Sequence, residues 1–204
     1  MIPRKKCRIQ PFLIVTHSWY TPIVQSQQPP PKICYTAAGV LIHQDRVLLV
    51  KHKKLGFWLN PGGHIEENEL PHETAEREFW EETGVRVRAA HLAPVPVSDN
   101  GEFLPSPFLS NIHWISEQNY QHRLKNPDQE NTASNAYAKK GCEKHLSLLY
   151  LVEPVAGVEF QQNLEESDGI EWFTEDQISN LETRDNIKFE ISQGFRQAKP
   201  GGRP

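Results

Sequence analysis

The sequence predicts one α/β domain, and two observations carry that reading. Its 204 residues fit a single core of ordinary size, with some tens of residues left over for tails or an insertion. Runs with strand patterning and segments with helix start and stop signals occur along the same chain. Hydrophobic residues at 37% and charged residues at 24% suffice for a core, while 12 Gly and 16 Pro imply long exposed connections. That composition excludes fibrous and wholly disordered chains.

Residues 1–31 read as a basic, Pro- and Gln-rich tail. The first 44 residues hold Arg4, Lys5, Lys6, Arg8 and Lys32 but no Asp or Glu, and QSQQPPP at 25–31 is a polyproline-like linker. The folded domain is therefore expected over 32–198, with a short tail at 199–204. Residues 35–42 and 47–52 are β-branched or apolar, and His43-Gln44-Asp45-Arg46 between them suits a hairpin turn. Pro71–Thr83 reads as a helix, with proline in its first turn and Gly84 as its stop. The alternation VRVRAAHLAPVPV suggests a strand over 85–97, HLSLLYLV at 145–152 a buried strand, and 170–173 a short one. Thr174 with Gln177 forms a capping-box pattern that opens a short helix, and 186–198 a terminal helix that Pro200 closes. Residues 117–144, rich in Gln, Asn, Lys and Glu, read as a polar insertion, disordered or lid-like.

Charge and cysteine content narrow the partners. With 22 basic and 26 acidic residues the net charge is −4, so the chain as a whole has no pull toward DNA or an anionic membrane. A polyanion would have to be held locally, by a metal or a few basic side chains. Cys7, Cys34 and Cys142 are few, odd in number and far apart, which gives neither a disulfide framework nor a CxxC pair. A reducing interior is the expectation, hence the cytoplasm; the acid-free basic N-terminus makes a mitochondrial address the alternative. No apolar run near the start is long enough for a signal core or a membrane span.

The chemistry concentrates in residues 60–85, NPGGHIEENELPHETAEREFWEETGV. At about 100° per residue Ala75, Phe79, His72 and Thr83 share one stripe, and Glu78, Glu81 and Glu82 crowd an adjoining arc of about 100°. Glu78 and Glu82 are a like-charge i,i+4 pair, and Glu81 and Glu82 occupy the last turn, where the helix dipole favours cations. Each conflict costs about 0.3–1 kcal/mol on a surface helix, so the ligand-free helix end is expected to be strained. Carboxylate clusters of this kind suit hard cations, Mg²⁺ or Mn²⁺, better than zinc.

Gly63, five residues, Glu69, seven residues and then Arg77-Glu78-Phe79-Trp80-Glu81-Glu82-Thr83-Gly84-Val85 resemble the Nudix box, and every fixed position matches. The resemblance implies an α/β/α sandwich around a mixed β-sheet. It implies metal-dependent hydrolysis of a pyrophosphate bond in a nucleoside diphosphate linked to another moiety, X. Carried over position by position, Glu78, Glu81 and Glu82 correspond to metal ligands, joined by the carbonyl of Gly62. Glu69 and Arg77 match the pair that braces the loop, and Gly63 and Gly84 are structural. The resemblance also implies one more carboxylate from a downstream loop, with Glu166 the closest counterpart and Glu165 its rival, and a general base that is Glu82, Glu81 or Glu166, in that order.

Outside the box, Lys53 and Lys54 could meet phosphates and Phe57 or Trp58 could stack on a base, against solubility for the lysines and core packing for Trp58. His64 could donate to a phosphate or satisfy loop carbonyls. Cys142 and His145 have CxxH spacing without a second pair nearby, which argues against a zinc site. The expected partner is a small nucleotide-type molecule, and a homodimer stays open. The alternative is a catalytically silent module that binds nucleotides as a sensor, and the intact glutamates argue against it.

Overall fold

The computed structural model describes residues 28–97, 99–127, 141–163, 165 and 167–199. Expectations placed on 1–27, 128–140, 200–204 and Glu166 lie outside the described residues. The elements run β1 (Ile33–His43), β2 (Arg46–His52), β3 (Trp58–Leu59), β4 (Gly62–His64), α1 (Pro71–Thr83), β5 (Val87–Ala89), β6 (Leu109–Trp114), α2 (Glu117–Lys125), β7 (Lys144–Pro154), β8 (Ser167–Thr174), α3 (Glu175–Ile178) and α4 (Asp185–Ala198).

The sheet is mixed. β1 pairs in parallel with β7 along nearly its whole length, from Ile33↔Lys144 to Leu41↔Val152, and the other pairings are antiparallel. Its main order is β3-β2-β1-β7-β5, with β4 on β1, β6 on β7 and β8 on β2. Period-two alternation sends side chains to opposite faces. Ala37, Leu41, Leu48, Tyr150 and Val152 join Ala75 and Phe79 of α1 in one core. Val40, Val47, Leu49 and Leu149 join Ile187, Ile191 and Phe195 of α4 in the other. Helices thus cover both faces, the expected α/β/α sandwich.

The local signals that called for these elements operate. Gln44 and Asp45 both take positive φ in the β1–β2 turn, at 49° and 56°, the conformation a two-residue hairpin needs to match strand twist. Glu73 accepts the Leu70 N–H at 2.9 Å at the start of α1, and Gly84 ends it in the left-handed region at φ 70°. Gln177 accepts the Thr174 N–H at 2.7 Å and starts α3. Among the described residues no helix is long and apolar enough to cross a membrane.

Three expectations need correction. Residues 117–125 of the insertion form α2 rather than a structureless segment. The anchors there are polar, so the segment carries no apolar periodicity. Ser116 caps the helix by accepting the Asn119 N–H at 3.0 Å, the buried Asn119 donates to the Cys142 carbonyl at 3.2 Å, and Arg123 pairs with the buried Glu143 at 2.6 Å. The strand expected over 85–97 shrinks to Val87–Ala89, because Pro94 and Pro96 lack the N–H that a ladder requires. Cys34 and Cys142, whose number and spacing suggested no disulfide framework, form a disulfide across 108 residues of chain. The β1–β7 register opposes Cys34 to His145, which brings Cys142 within a Cα–Cα distance of 5.8 Å.

Candidate functional site

The box glutamates sit where α1 meets the Gly62-Gly63 strand β4. Pairing of β4 with β1, Ala37↔Gly63 and Ala38↔Gly62, lays this glycine pair beside the helix. A Cβ on Gly63 would collide with the carboxylate of Glu78, so glycine allows the close approach. Glu82 is 6% exposed and accepts the Gly62 N–H at 3.1 Å. Glu78 is mostly buried, and Glu81 is the most open of the three.

Arg77 ties this arc together. Its Nε and Nη2 grip Glu69 at 2.7 and 2.9 Å, its Nη1 reaches Glu78 at 2.9 Å and Glu81 at 3.2 Å, and its Nη2 also reaches the His64 carbonyl at 3.3 Å. Glu69 takes further hydrogen bonds from Thr74 Oγ1 at 2.6 Å and the Glu66 N–H at 3.1 Å. The Arg77 hydrogen bond, opposed by burial and aided by these donors, holds the Glu69 carboxyl down at about 2. Arg77 is raised in turn, chiefly by Glu69. The loop after β7 closes the C-terminal end of α1. Gln161 N donates to Thr83 O at 2.8 Å and Asn163 Nδ2 to Glu81 O at 3.3 Å. Glu165 is on that loop, exposed, its N–H bonded to Asn163 Oδ1 at 3.1 Å.

On the other side of the glycine pair a cleft of about 310 Å³ opens, shared by Lys54, Phe57, Asn60, His64, Arg184 and Glu190 among others. Of the side chains singled out from the sequence, Lys54, Phe57 and His64 line it and Trp58 does not. Trp58 packs edge-on against Phe173, with centroids 4.8 Å apart, and belongs to the α4-side core. Lys53 is exposed and also off the cleft wall. Arg184 lies over the Phe57 ring at 5.0 Å, a cation–π arrangement.

The cleft also holds groups that the sequence does not point to as parts of one site. Asn60 is 5% exposed, yet neither its amide oxygen nor its nitrogen has a hydrogen bond. Glu190 is buried and accepts from Asn111 Nδ2 at 2.9 Å and Asn186 Nδ2 at 3.3 Å. Burial pushes it up to about 7 against those two donors. Burial, and then the positive charge of Arg184, lowers His113. His145 is pushed down to about 3 by burial first and by His64 and His113 second. Glu190 did carry a signal, being a lone acid within the apolar stripe Ile187, Ile191 and Phe195. His113 and Asn60 carried none, since their neighbours come from distant strands.

A NUDIX domain family model matches residues 35–195. Over 72 residues the chain is 39% identical to a MutT-like protein of Streptomyces ambofaciens, a match covering 35% of this chain and 47% of that one. It is 33% identical over 73 residues to an 8-oxo-dGTP diphosphatase of Proteus vulgaris, covering 33% of this chain and 65% of the relative. The chain thus spans less than two thirds of the length of either relative. A hydrolase of the NUDIX family from Clostridium perfringens shares the fold at a TM-score of 0.58 and 22% identity, covering 81% of this chain and 97% of that structure. A family match across most of the chain, over a fold in which the box loop and α1 lock together through Glu69 and Arg77, means that the chain belongs to the Nudix family.

Proposed function

We propose that the protein is a pyrophosphohydrolase that cleaves the diphosphate bond of a nucleoside diphosphate linked to X and depends on Mg²⁺ or Mn²⁺. The observation that carries this reading is the approach of Glu78 to Gly63 and of Glu82 to Gly62, on a wall that also bounds the cleft, with Glu81 joined to Glu78 through Arg77. Three carboxylates of graded exposure, with the Gly62 carbonyl as a fourth oxygen, fit the all-oxygen preference of a hard cation. Such cations, when bound, neutralise phosphate oxygens and lower the pKa of a coordinated water.

The chain's own residues do the rest. Arg77 holds Glu78 and Glu81 in place, and Gly62 orients Glu82 through its N–H. Glu82 is the preferred general base, ahead of Glu81 and Glu166. Phe57 with Arg184 gives the cleft a flat, cationic edge for a base, and the unbonded amide of Asn60 offers a donor and an acceptor to the ligand. Lys54 and His64, both on the cleft wall, are the groups proposed to meet phosphate, with Lys53 beside them in sequence. The name of the Proteus vulgaris relative supports nucleoside triphosphates, oxidised ones included, as first substrates to try.

The test is phosphate release from nucleoside triphosphates, damaged nucleotides, dinucleotides, nucleotide sugars and diphosphoinositols, with Mg²⁺ or Mn²⁺. At least one should turn over, with Glu82→Gln slower by ~10²-fold or more, at 1.36 kcal/mol per decade. A variant keeping a third of the wild-type rate at saturating metal would refute the assignment.

A further inference from the structure

We propose that Cys34, Cys142 and His64 form a second metal site, one for a soft divalent cation with zinc as its natural occupant, available when the Cys34–Cys142 bond is reduced. The donor atoms of the three residues lie within 4.8 Å of one another. They come from β1, the turn before β7, and β4, three segments that the sheet register fixes side by side. A structural disulfide needs only its two sulfurs. Here an imidazole also points at them, His64 Nε2 standing 3.3 Å from Cys142 Sγ.

The geometry suits zinc. With Zn–S near 2.3 Å and Zn–N near 2.0–2.1 Å, a tetrahedral centre has a sulfur–nitrogen edge of about 3.6 Å, close to the 3.3 Å observed. Freed from their bond, the sulfurs need to separate to an edge of about 3.8 Å, which side-chain rotation can supply on a fixed backbone. Two thiolates and an imidazole are soft and borderline donors, unlike the oxygens of Glu78, Glu81 and Glu82, so the two sites sort cations by chemistry. Cys142 is buried, but Cys34 and His64 open onto a shallow surface hollow with Tyr35, Ile65, Glu66 and Pro71, which gives an ion a way in. Three protein ligands leave a fourth position for water, and the His145 ring stands edge-on to that of His64, with centroids 4.8 Å apart.

The two states of the cluster exclude each other. Opening the S–S bond with a dithiol moves two electrons and two protons to the cysteine pair and leaves the reductant as its own disulfide. Each thiol then releases its proton to solvent as it takes the cation.

The experiment uses the full chain carrying Cys7→Ser, reduced with dithiothreitol, desalted under argon and titrated with Co²⁺ alone. The expected result is a near-ultraviolet thiolate-to-cobalt charge-transfer band that saturates at one equivalent per chain and is displaced by Zn²⁺. The oxidised form of the same protein should show no such band. Cys34→Ala and Cys142→Ala should each lose the band and weaken binding by roughly 100-fold, while Glu78→Gln should leave it unchanged. The proposal is overturned if the reduced protein, with two thiols counted by a thiol reagent, gives no band. A band that survives Cys34→Ala would overturn it equally. So would loss of the far-ultraviolet dichroism on reduction, because the pair would then be a structural disulfide. None of these readouts depends on nucleotide hydrolysis, so the second site stands or falls apart from the first.

Discussion

Glu69→Gln isolates the contact that holds the box loop to α1. In the wild type Glu69 receives two hydrogen bonds from Arg77 and one each from Thr74 and the Glu66 backbone. Its carboxyl falls from the ordinary 4.5 to about 2, with the Arg77 hydrogen bond the largest cause. At 1.36 kcal/mol per pH unit that fall is worth at most about 3 kcal/mol. Both side chains keep some solvent contact, which trims the figure to about 2 kcal/mol.

The sign follows from the direction. A depressed folded-state pKa stabilises above the unfolded value, and the stabilisation drains away as pH falls from 4.5 toward 2. More than half of it is gone by about pH 3. Glutamine keeps one acceptor for Arg77 but no charge, so its stability lacks this slope. Urea melts at pH 7 should show the variant less stable by about 2 kcal/mol, and the gap should more than halve by about pH 3. Activity should fall as well, since an Arg77 released from Glu69 is free to settle on Glu78 and Glu81. A gap under about 0.5 kcal/mol at pH 7, or one that does not change with pH, would refute the reasoning.

Three further outcomes follow from single contacts. Gly63→Ala meets the far end of the Glu78 side chain, which can swing aside; its thermal midpoint should stay within a few degrees while turnover drops by about tenfold or more. Arg123→Ala leaves the buried Glu143 without its guanidinium partner. The loss in urea melts should be about 3 kcal/mol, and under 1 kcal/mol would show that α2 is dispensable. Glu190→Gln removes a carboxyl that burial raises to about 7. The native state therefore favours its protonated form, so wild-type stability is full below the unfolded pKa and is lost as pH rises to about 7. The variant should match wild type near pH 4 and exceed it by about 1–3 kcal/mol at pH 8, and equal melts at pH 8 would reject this.

What the sequence made legible was whatever its local rules encode. Pro71 and Gly84 bound α1 to the residue, and Ile187, Ile191 and Phe195 at four-residue spacing announce α4. β6 escaped because the positions between its exposed side chains are Leu109, Asn111 and His113, only half-buried and mostly polar. That pattern has the strand period without an apolar face. α2 escaped for the same reason, since Asn119 and Arg123 find their partners in Cys142 and Glu143, about 20 residues downstream. The cleft residues Asn60, His113, Arg184 and Glu190 come from separate elements, so no window of sequence contains their meeting.

The electrostatics of the box helix show how far a one-dimensional reading reaches. Glu78, Glu81 and Glu82 oppose the helix dipole and one another, and on an isolated helix they would be strained. In the fold each has a counterpart: Arg77 serves Glu78 and Glu81, and the Gly62 N–H serves Glu82. Two carbonyls at the helix end accept from Gln161 and Asn163, which softens the negative pole itself. The carboxylates that break the rule form a cluster held by protein partners rather than left as stored strain. Arg77 sits at the centre of that cluster, bonded at once to the brace and to two of the glutamates. A cation drawn to the carboxylates must therefore compete with a guanidinium already there. Retaining Glu69 as the stronger grip on Arg77 leaves Glu78 and Glu81 with spare lone pairs, which is the condition under which both the guanidinium and a metal can be satisfied.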